Sequence, residues 1–373
     1  MNLRHIAAAL ALGVLAVSGA TSFALHDRIA NGVTQATAQG AFGSKILNVL
    51  LLGYQEDEGN SDTIIVAHLD TVRRTATLVS IPRDSWVGIP GHGHWKINAA
   101  IGYGGPALVA RIVSKLIGAP IDATIAVRPE DAKQIVDAMG GLNVDVDEDM
   151  NYDDNSGGLH IHLHKGEQYL TGGQVLEYIR FRHDAESDWG RVRRQQQVLK
   201  DIAGQLSLPQ EWAKVPHVLA LAAKNVRTTL TQTQIAALLQ IYRGVPDDNV
   251  RAFTMPARDG WVGDASVVFV NERWARLIGR VLFTKMEPPA DEVVVANATG
   301  HSVLDKTIVA ALRGGGWNVP TFIDQPPTST TRVLGTSATG RALASILGTP
   351  ATPSDPRRTV LVLGTDLSPN SDV

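Results

Sequence analysis

The sequence predicts an α/β protein: a three-layer α/β/α sandwich with a mixed central sheet, a small α/β domain behind it and an N-terminal transmembrane helix in front. Three observations carry this. Short apolar runs alternate with stretches of helical period from residue 45 to about residue 285, the pattern of helices packed on a sheet. The same alternation restarts at Val293, after the polar stretch KMEPPADE. Residues Ile6 to Leu25 carry no charge at all.

The elements follow in order. Arg4 and His5 precede the uncharged stretch, and charge returns at Asp27 and Arg28. A span of that length just crosses a bilayer, and a basic residue before it keeps the N-terminus inside. Residues 1–28 are therefore expected to be a single-pass anchor. A cleaved signal peptide ending near Ser18-Gly19-Ala20 is the competing reading. Both place residues 45–373 outside the cytoplasm, where no ATP is available. Residues 29–44 are small and polar and read as a linker. Residues 45–285 form the main domain. KILNVLLLG (45–53) is a buried strand ending in glycine. DTIIVAHLD (62–70) and TATLVSIP (75–82) are strands joined by a turn at Arg73-Arg74. GGPALVARIVSKLIG opens with Pro106 and closes at Gly118, as a helix does.

ATIAVR (123–128) is a strand, PEDAKQIVDAMGG a helix capped by Gly140, and LNVDV a strand. GLHIHLH (158–164) alternates strictly, so it is half exposed. Thr171 and Gln174 form a capping box for the helix GGQVLEYIR. A long helix starts near Gly190 with Val192, Leu199, Ile202 and Leu206 on its apolar face. Helices 212–223 and 232–243, strands 250–257 and 265–270, and the helix NERWARLIGRVLF complete the domain. Residues 290–373 hold the second domain: VVVANATG, a helix over Leu304–Leu312, WNVPTF, RALASILG and TVLVLG.

Composition excludes several classes. The chain of 373 residues is 44% hydrophobic and 19% charged, which is a folded protein. Its formal net charge of -3 argues against nucleic acid as a partner, which calls for a basic domain. It has no cysteine, hence no disulfide and no thiolate chemistry.

Against that acidic background, IRFRHDAESDWGRVRRQQQ (179–197) concentrates arginine. Guanidinium binds phosphate through two parallel charge-assisted hydrogen bonds. Arg180 and Arg182 share a side if the chain is extended there. Arg191 and Gln195 are one helical turn apart, and Gln195 falls on an apolar face where its amide needs a partner. These four point to a pocket for a di-anion. Arg193 and Arg194, with Asp184, Glu186 and Asp188 nearby, read as a solvated face. Asp62 opens a strand, where a carboxylate holds a hard cation or simply caps a turn. Arg83 ends a strand in SIPRDSW, facing a pocket or pairing with Asp84. His92, His94, His160, His162 and His164 read as solvated, without the spacing of a zinc site. GYGGP reads as a tight turn. Neither a serine nucleophile elbow nor a Walker motif is present.

Taken together, ILNVLLLG, SDTIIVAHLD, SIPRDSWVGIPG, KINAAIGYGGP, NYDDNSGGLHIHL, KGEQYLTGGQVLEYIRFRH and GRVRRQQQ resemble the LytR–CpsA–Psr family, in consistent order over residues 46–206. VVVANATG, ALRGGGWNV and LVLG resemble the LytR C-terminal domain. The resemblance implies a membrane-anchored enzyme dependent on Mg2+ (or Mn2+). It would move a glycopolymer from a polyprenyl-pyrophosphate carrier to a peptidoglycan hydroxyl. It implies that Asp62 binds the metal and that Arg83, Arg180, Arg182, Arg191 and Gln195 grip the pyrophosphate. Arg83, Asp62 and Arg182 are the implied catalytic residues. The prenyl tail would need an apolar slot, to which ALVARIVSKLIG and LLQIYRGV are expected to contribute. Two positions depart from the family pattern: Gln55 stands where an Asp is usual, and Asn60 where an Arg is usual. Glu56, Asp57 or Glu58 is then the candidate second carboxylate, unless water and the pyrophosphate complete the metal shell. A pyrophosphate hydrolase and a non-catalytic regulatory binder are the alternative functions.

Overall fold

A computed structural model describes residues 33–55, 59–155, 159–181, 194, 197–198, 201–202, 205, 211, 214, 217–218, 221, 226–243, 245–283, 288–300, 302–354 and 358–367. The expected anchor, 1–28, lies outside the described residues.

The chain runs through α1 (Val33–Phe42), β1 (Ile46–Gln55), β2 (Asn60–Asp70), β3 (Thr75–Ser80), β4 (Trp86–Ile89), β5 (Gly93–Lys96), α2 (Ala100–Ile117), β6 (Ala123–Val127), α3 (Pro129–Met139), β7 (Leu142–Val146), β8 (Met150–Asp154), β9 (Leu159–Leu163), β10 (Gly166–Leu170) and α4 (Gly172–Arg180). It continues through β11 (Arg227–Thr228), α5 (Gln232–Arg243), β12 (Val250–Thr254), β13 (Ala257–Val262), β14 (Ala265–Val270) and α6 (Glu272–Ile278). The C-terminal region adds β15 (Val293–Asn297), α7 (Ser302–Gly314), β16 (Thr321–Asp324), β17 (Arg332–Leu334), α8 (Ala338–Leu347), β18 (Ala351–Thr352) and β19 (Thr359–Leu363).

This is a mixed α/β protein. Its central sheet runs β11-β6-β1-β2-β3-β12. The β2/β3 and β6/β11 pairs are antiparallel and the β3/β12 pair is parallel. The chain divides into two compact units: Met1–Lys45, Leu51–Thr63 and Ala123–Asp248 in the first, Ile46–Leu50, Ile64–Asp122 and Asn249–Val373 in the second. Strands β1 and β2 contribute residues to both.

In the first unit, residues 33–42, read as linker, form a helix instead. Small side chains allow it to lie close to α5: Ala38 is buried, and Gln234 Nε2 donates to Ala41 O at 3.2 Å. Helix α3 starts where proline and an acid pre-set a helix. Pro129 occupies its first turn, and Asp131, fully buried, accepts from Arg128 N at 2.9 Å. Helix α4 has the expected box, with Thr171 N donating to Gln174 Oε1 at 3.0 Å. On β9 the alternation holds: Ile161 and Leu163 are buried while His160, His162 and His164 are exposed.

In the second unit, α2 begins earlier than Pro106 implies, at Ala100, and kinks at Gly104-Gly105. Gly105 has φ 63°, a conformation that glycine adopts without strain. Its apolar face, Leu108, Val109, Ile112, Val113 and Ile117, is buried. Each such side chain stabilises the fold by about 1.5–3 kcal/mol. Helix α6 is shorter than the sequence suggests. The α-helix ends at Ile278 and a π-helical turn, Gly279–Phe283, follows. Gly279 sits against α2 so closely that a Cβ would lie 1.5 Å from Ile117 O.

The C-terminal strands form their own sheet, β16-β15-β19-β17-β18, parallel at β15/β16, β15/β19 and β17/β18 and antiparallel at β17/β19. Helix α7 packs on β3 and β12. The run Gly314-Gly315-Gly316 follows from that packing: a Cβ on Gly315 would meet Val281 O at 1.9 Å. Trp317 Nε1 donates to the same oxygen at 3.0 Å.

The deepest polar group of the second unit is Asn48, 0% exposed within an apolar strand. Its Nδ2 donates to Pro120 O at 3.0 Å and Phe283 O at 2.9 Å. Both amide hydrogens are thus committed, so Oδ1 is the acceptor facing His68 Nδ1 at 2.8 Å, and that nitrogen carries the proton. Replacing Asn48 with Ala leaves two buried carbonyls and an imidazole without this partner. The expected loss is about 1–3 kcal/mol of unfolding free energy, read by urea denaturation. A wild-type midpoint would contradict it.

Candidate functional site

Strand ends place the first two expected residues. Asp62 is half-buried in β2, directly after the fully buried Ser61, in the first unit. The glycine that ends LLLG has a local reason. Gly53 on β1 lies beside Thr63, and a Cβ would come 3.1 Å from Thr63 Cβ.

Arg83 belongs to the second unit, just past β3, half-buried. A tight turn holds its backbone. Ser85 N donates to Pro82 O at 3.1 Å, and Asn98 N donates to Arg83 O at 3.1 Å. Its Nε is 3.6 Å from Asp84 Oδ2, so the surface-pair alternative is present as a loose contact. The tighter partner of Asp84 is Lys96, with Nζ 2.7 Å from Oδ1. No local sequence signal marks Lys96, because the β4/β5 hairpin brings it back: Trp86 and Lys96 are register partners. One carboxylate thus stands between two cations at the end of β3.

In the first unit, Arg180 ends α4 and is exposed, with Nη2 2.8 Å from Glu130 Oε1. At 41% and 42% side-chain exposure this pair is solvated and worth at most about 1 kcal/mol. It is a contact a phosphate can displace. Phe181 follows in extended backbone, φ -58° and ψ 133°, and is buried. With Phe181 turned inward, Arg180 is turned outward. Arg182, Arg191 and Gln195 lie outside the described residues.

Arg194 overturns one expectation. The surrounding acids predict solvated surface, yet it is 0% exposed. Its Nη2 donates to Phe181 O, and its guanidinium carbon lies 5.3 Å from the centre of the Phe181 ring. Charge spacing on a helix could not reveal this, because the partner is a carbonyl and a ring thirteen residues back. The buried cation fastens the residue between Arg180 and Arg182.

Opposite α4, the β8/β9 hairpin gathers imidazoles around Asp153. His160 Nδ1 is 2.7 Å from Asp153 Oδ1, and His162 Nε2 is 3.3 Å from the same oxygen. The hydrogen bond from His160 holds the Asp153 carboxyl below its ordinary value. Among the described residues, no group of three or more His, Asp or Glu is disposed to hold a metal ion. One helical stretch among them, Ile97–Ile117, is long and apolar enough to cross a membrane by length and composition alone, and its apolar face is buried in the second unit.

The fold defines a class: a mixed α/β protein with a central mixed sheet and a second sheet in its C-terminal region. The chain belongs to the LytR_cpsA_psr family, whose profile matches residues 16–278. A second profile, LytR cell envelope-related transcriptional attenuator, matches residues 292–367. TagV of Bacillus subtilis is named a polyisoprenyl-teichoic acid–peptidoglycan teichoic acid transferase. It is 32% identical over 232 residues, 59% of this chain and 59% of TagV, so the chain spans under two thirds of that relative. TagU of Bacillus mycoides, which carries the same transferase name, is 36% identical over 223 residues, 58% of this chain and 70% of its own. MsrR of Staphylococcus aureus, named a regulatory protein, is 31% identical over 222 residues, 58% and 66%. The TagV crystal structure superposes with a TM-score of 0.50 at 29% identity, covering 61% of this chain and 91% of that one.

Two outcomes follow from this geometry. Burial raises the Glu177 carboxyl above its ordinary 4.5, while the charges of His162 and His160 draw part of that back. The native state therefore holds this proton more tightly than the unfolded chain. The resulting stability is present below pH 4.5 and is lost as pH rises through the raised value. Glu177→Gln is expected to raise the thermal midpoint at neutral pH and leave it unchanged in acid; no gain at neutral pH contradicts this. Arg194→Ala is expected to cost at least about 2 kcal/mol in denaturant titrations, against the near-neutral result of a solvated arginine.

Proposed function

We propose that this chain is a cell-wall glycopolymer–peptidoglycan phosphotransferase, moving a glycan phosphate from a polyprenyl-pyrophosphate carrier to a peptidoglycan hydroxyl. The observation that carries the reading is the family match over residues 16–278, with relatives whose names state such a transfer. Residues 1–28 would anchor the chain in the cell membrane, with the remainder extracytoplasmic and arranged as an α/β/α sandwich. The carrier's own pyrophosphate supplies the driving force there.

In this reading the acceptor hydroxyl attacks the glycan-bearing phosphorus. The bond from that phosphorus to the bridging oxygen breaks, prenyl phosphate leaves, and the hydroxyl proton passes to solvent. Such transfer is mostly positioning and charge neutralisation. Arg83, Arg180, Arg182 and Arg191 would neutralise the pyrophosphate and Gln195 would orient it. Arg180 would exchange Glu130 for a phosphate oxygen. Lys96 is the tighter partner of the Asp84 carboxylate beside Arg83.

Asp62 is the carboxylate assigned to Mg2+ (or Mn2+). One half-buried carboxylate, with no cluster of three ligating side chains among the described residues, fits a hard cation that keeps its waters and shares substrate oxygens. Bound there, the ion would offset charge developing on the phosphate oxygens.

The name of MsrR favours a second reading, a regulatory envelope protein that binds without turnover. Purified full chain, in detergent with Mg2+, prenyl-pyrophosphate glycan and peptidoglycan, separates the readings. Acceptor-linked glycan with release of prenyl phosphate is expected. Arg83→Ala and Arg182→Ala should each lower the rate about 100-fold or more. Prenyl phosphate without acceptor product indicates hydrolysis, binding without either indicates the regulator, and full activity in both variants sinks the assignment.

A further inference from the structure

Two arginines away from the proposed transfer site lie close enough to feel each other's charge, and among the described residues neither has an ion-pair partner. Arg251 of β12 is in parallel register with Thr77 of β3, so both side chains leave the sheet on one face. That is the face α7 covers: a Cβ on Gly314 would come 2.4 Å from Thr77 Oγ1. Arg313 immediately precedes Gly314, and its Nε and Nη2 donate to Val319 O at 3.0 and 2.8 Å.

Register and helix packing therefore carry Arg251, Thr77 and Arg313 to one junction, between the C-terminal helix and the edge strand of the central sheet. Thr77 is 0% exposed. Arg251 Nη1 and Thr77 Oγ1 are both shielded from solvent without a hydrogen-bond partner. Among the described residues, no ion pair involves Arg251 or Arg313. The carboxylate at this end of β2 is Asp70, already committed to Arg73 Nη1 at 2.7 Å and to the backbone N–H groups of Val72 and Arg73. Burial first, and then the charge of Arg313, push the Arg251 guanidinium below its ordinary value. A half-buried cation beside a like charge, with donors left over, is an arrangement an anion relieves.

We propose that Arg251, Arg313 and the Thr77 hydroxyl form a binding site for a phosphate-type oxyanion, distinct from the transfer site, that clamps α7 onto the sheet edge. The three groups are donors, and the two guanidinium forks suit the spread of phosphate oxygens. A ligand held there would tie the C-terminal region to β12 whenever it is bound.

The test is thermal unfolding of the full chain titrated with inorganic phosphate, with dimethyl phosphate and with acetate, each against sodium chloride of equal ionic strength. Wild type is expected to show a saturable rise in midpoint with phosphate beyond that with chloride. Arg83→Ala should keep the rise, since it alters only the transfer site. Arg251→Gln should lose it, while its midpoint in chloride stays at or above that of wild type because the like-charge contact is gone. If Arg251→Gln fails to fold, the exposed Arg313→Gln carries the same test. A rise with dimethyl phosphate as well identifies a polymer phosphodiester as the source, and a rise with inorganic phosphate alone identifies free phosphate; both support the site. Equal shifts in phosphate and chloride, a response to acetate alone, or a rise that survives in Arg251→Gln and Arg313→Gln overturns it.

Discussion

One asparagine sets the frame on which the second unit is built. Strand β1 is apolar almost throughout, and an apolar run alone specifies burial but not register. Asn48 supplies the register. Its amide holds the carbonyls of Pro120 and Phe283, and its Oδ1 accepts from His68 on β2. Its backbone exchanges hydrogen bonds with Asp122 in both directions, Asn48 N to Asp122 Oδ2 and Asp122 N to Asn48 O, each 2.8 Å. The ring of Phe283 then stands edge-on to His68, centroids 5.9 Å apart. Slipping β1 by one residue would bury these groups without partners. With β1 and β2 so fixed, β3 follows by its ladder to β2 and delivers Arg83 at its end.

Charge placement follows the same economy. Arg83 lies near Asp84 while Lys96 occupies that carboxylate more closely. Arg180 is matched with Glu130 in solvent, a weak contact that a phosphate can replace. Arg194 is the opposite case: fully buried, bonded to a backbone carbonyl and stacked on Phe181, it is part of the scaffold. Two arginines close in sequence, Arg180 and Arg194, thus differ: one can exchange its partner and the other cannot.

Much of this was legible in the residues, for identifiable reasons. Strands β1, β2, β3 and β6 follow from continuous apolar runs, β9 from strict alternation, and α3 and α4 from proline and capping-box chemistry, all of which are local signals. The C-terminal pattern of strand, helix and strand was legible for the same reason. What could not be read depended on distant partners. The helix Val33–Phe42 gains its stability by packing on α5, not from its own small polar residues. The π-helical turn after Ile278 depends on how closely Gly279 must approach Ile117. Lys96 reaches Asp84 only because a hairpin closes, and Arg194 is buried only because Phe181 folds back beneath it. Arg182, Arg191 and Gln195, and the candidate second carboxylates Glu56, Asp57 and Glu58, lie outside the described residues and rest on the sequence, while Asp62 is placed at its strand end.

The central claim is that a lipid pyrophosphate is held by the strand-end and helix-end arginines. A crystal structure of the chain with polyprenyl pyrophosphate and Mg2+ tests it most directly. The account predicts pyrophosphate oxygens at about 2.7–3.0 Å from the guanidinium groups of Arg83, Arg180 and Arg182, with Arg191 and Gln195 alongside and the Arg180–Glu130 pair opened. A head group bound elsewhere, with Arg180 still on Glu130 and Arg83 untouched, would contradict it.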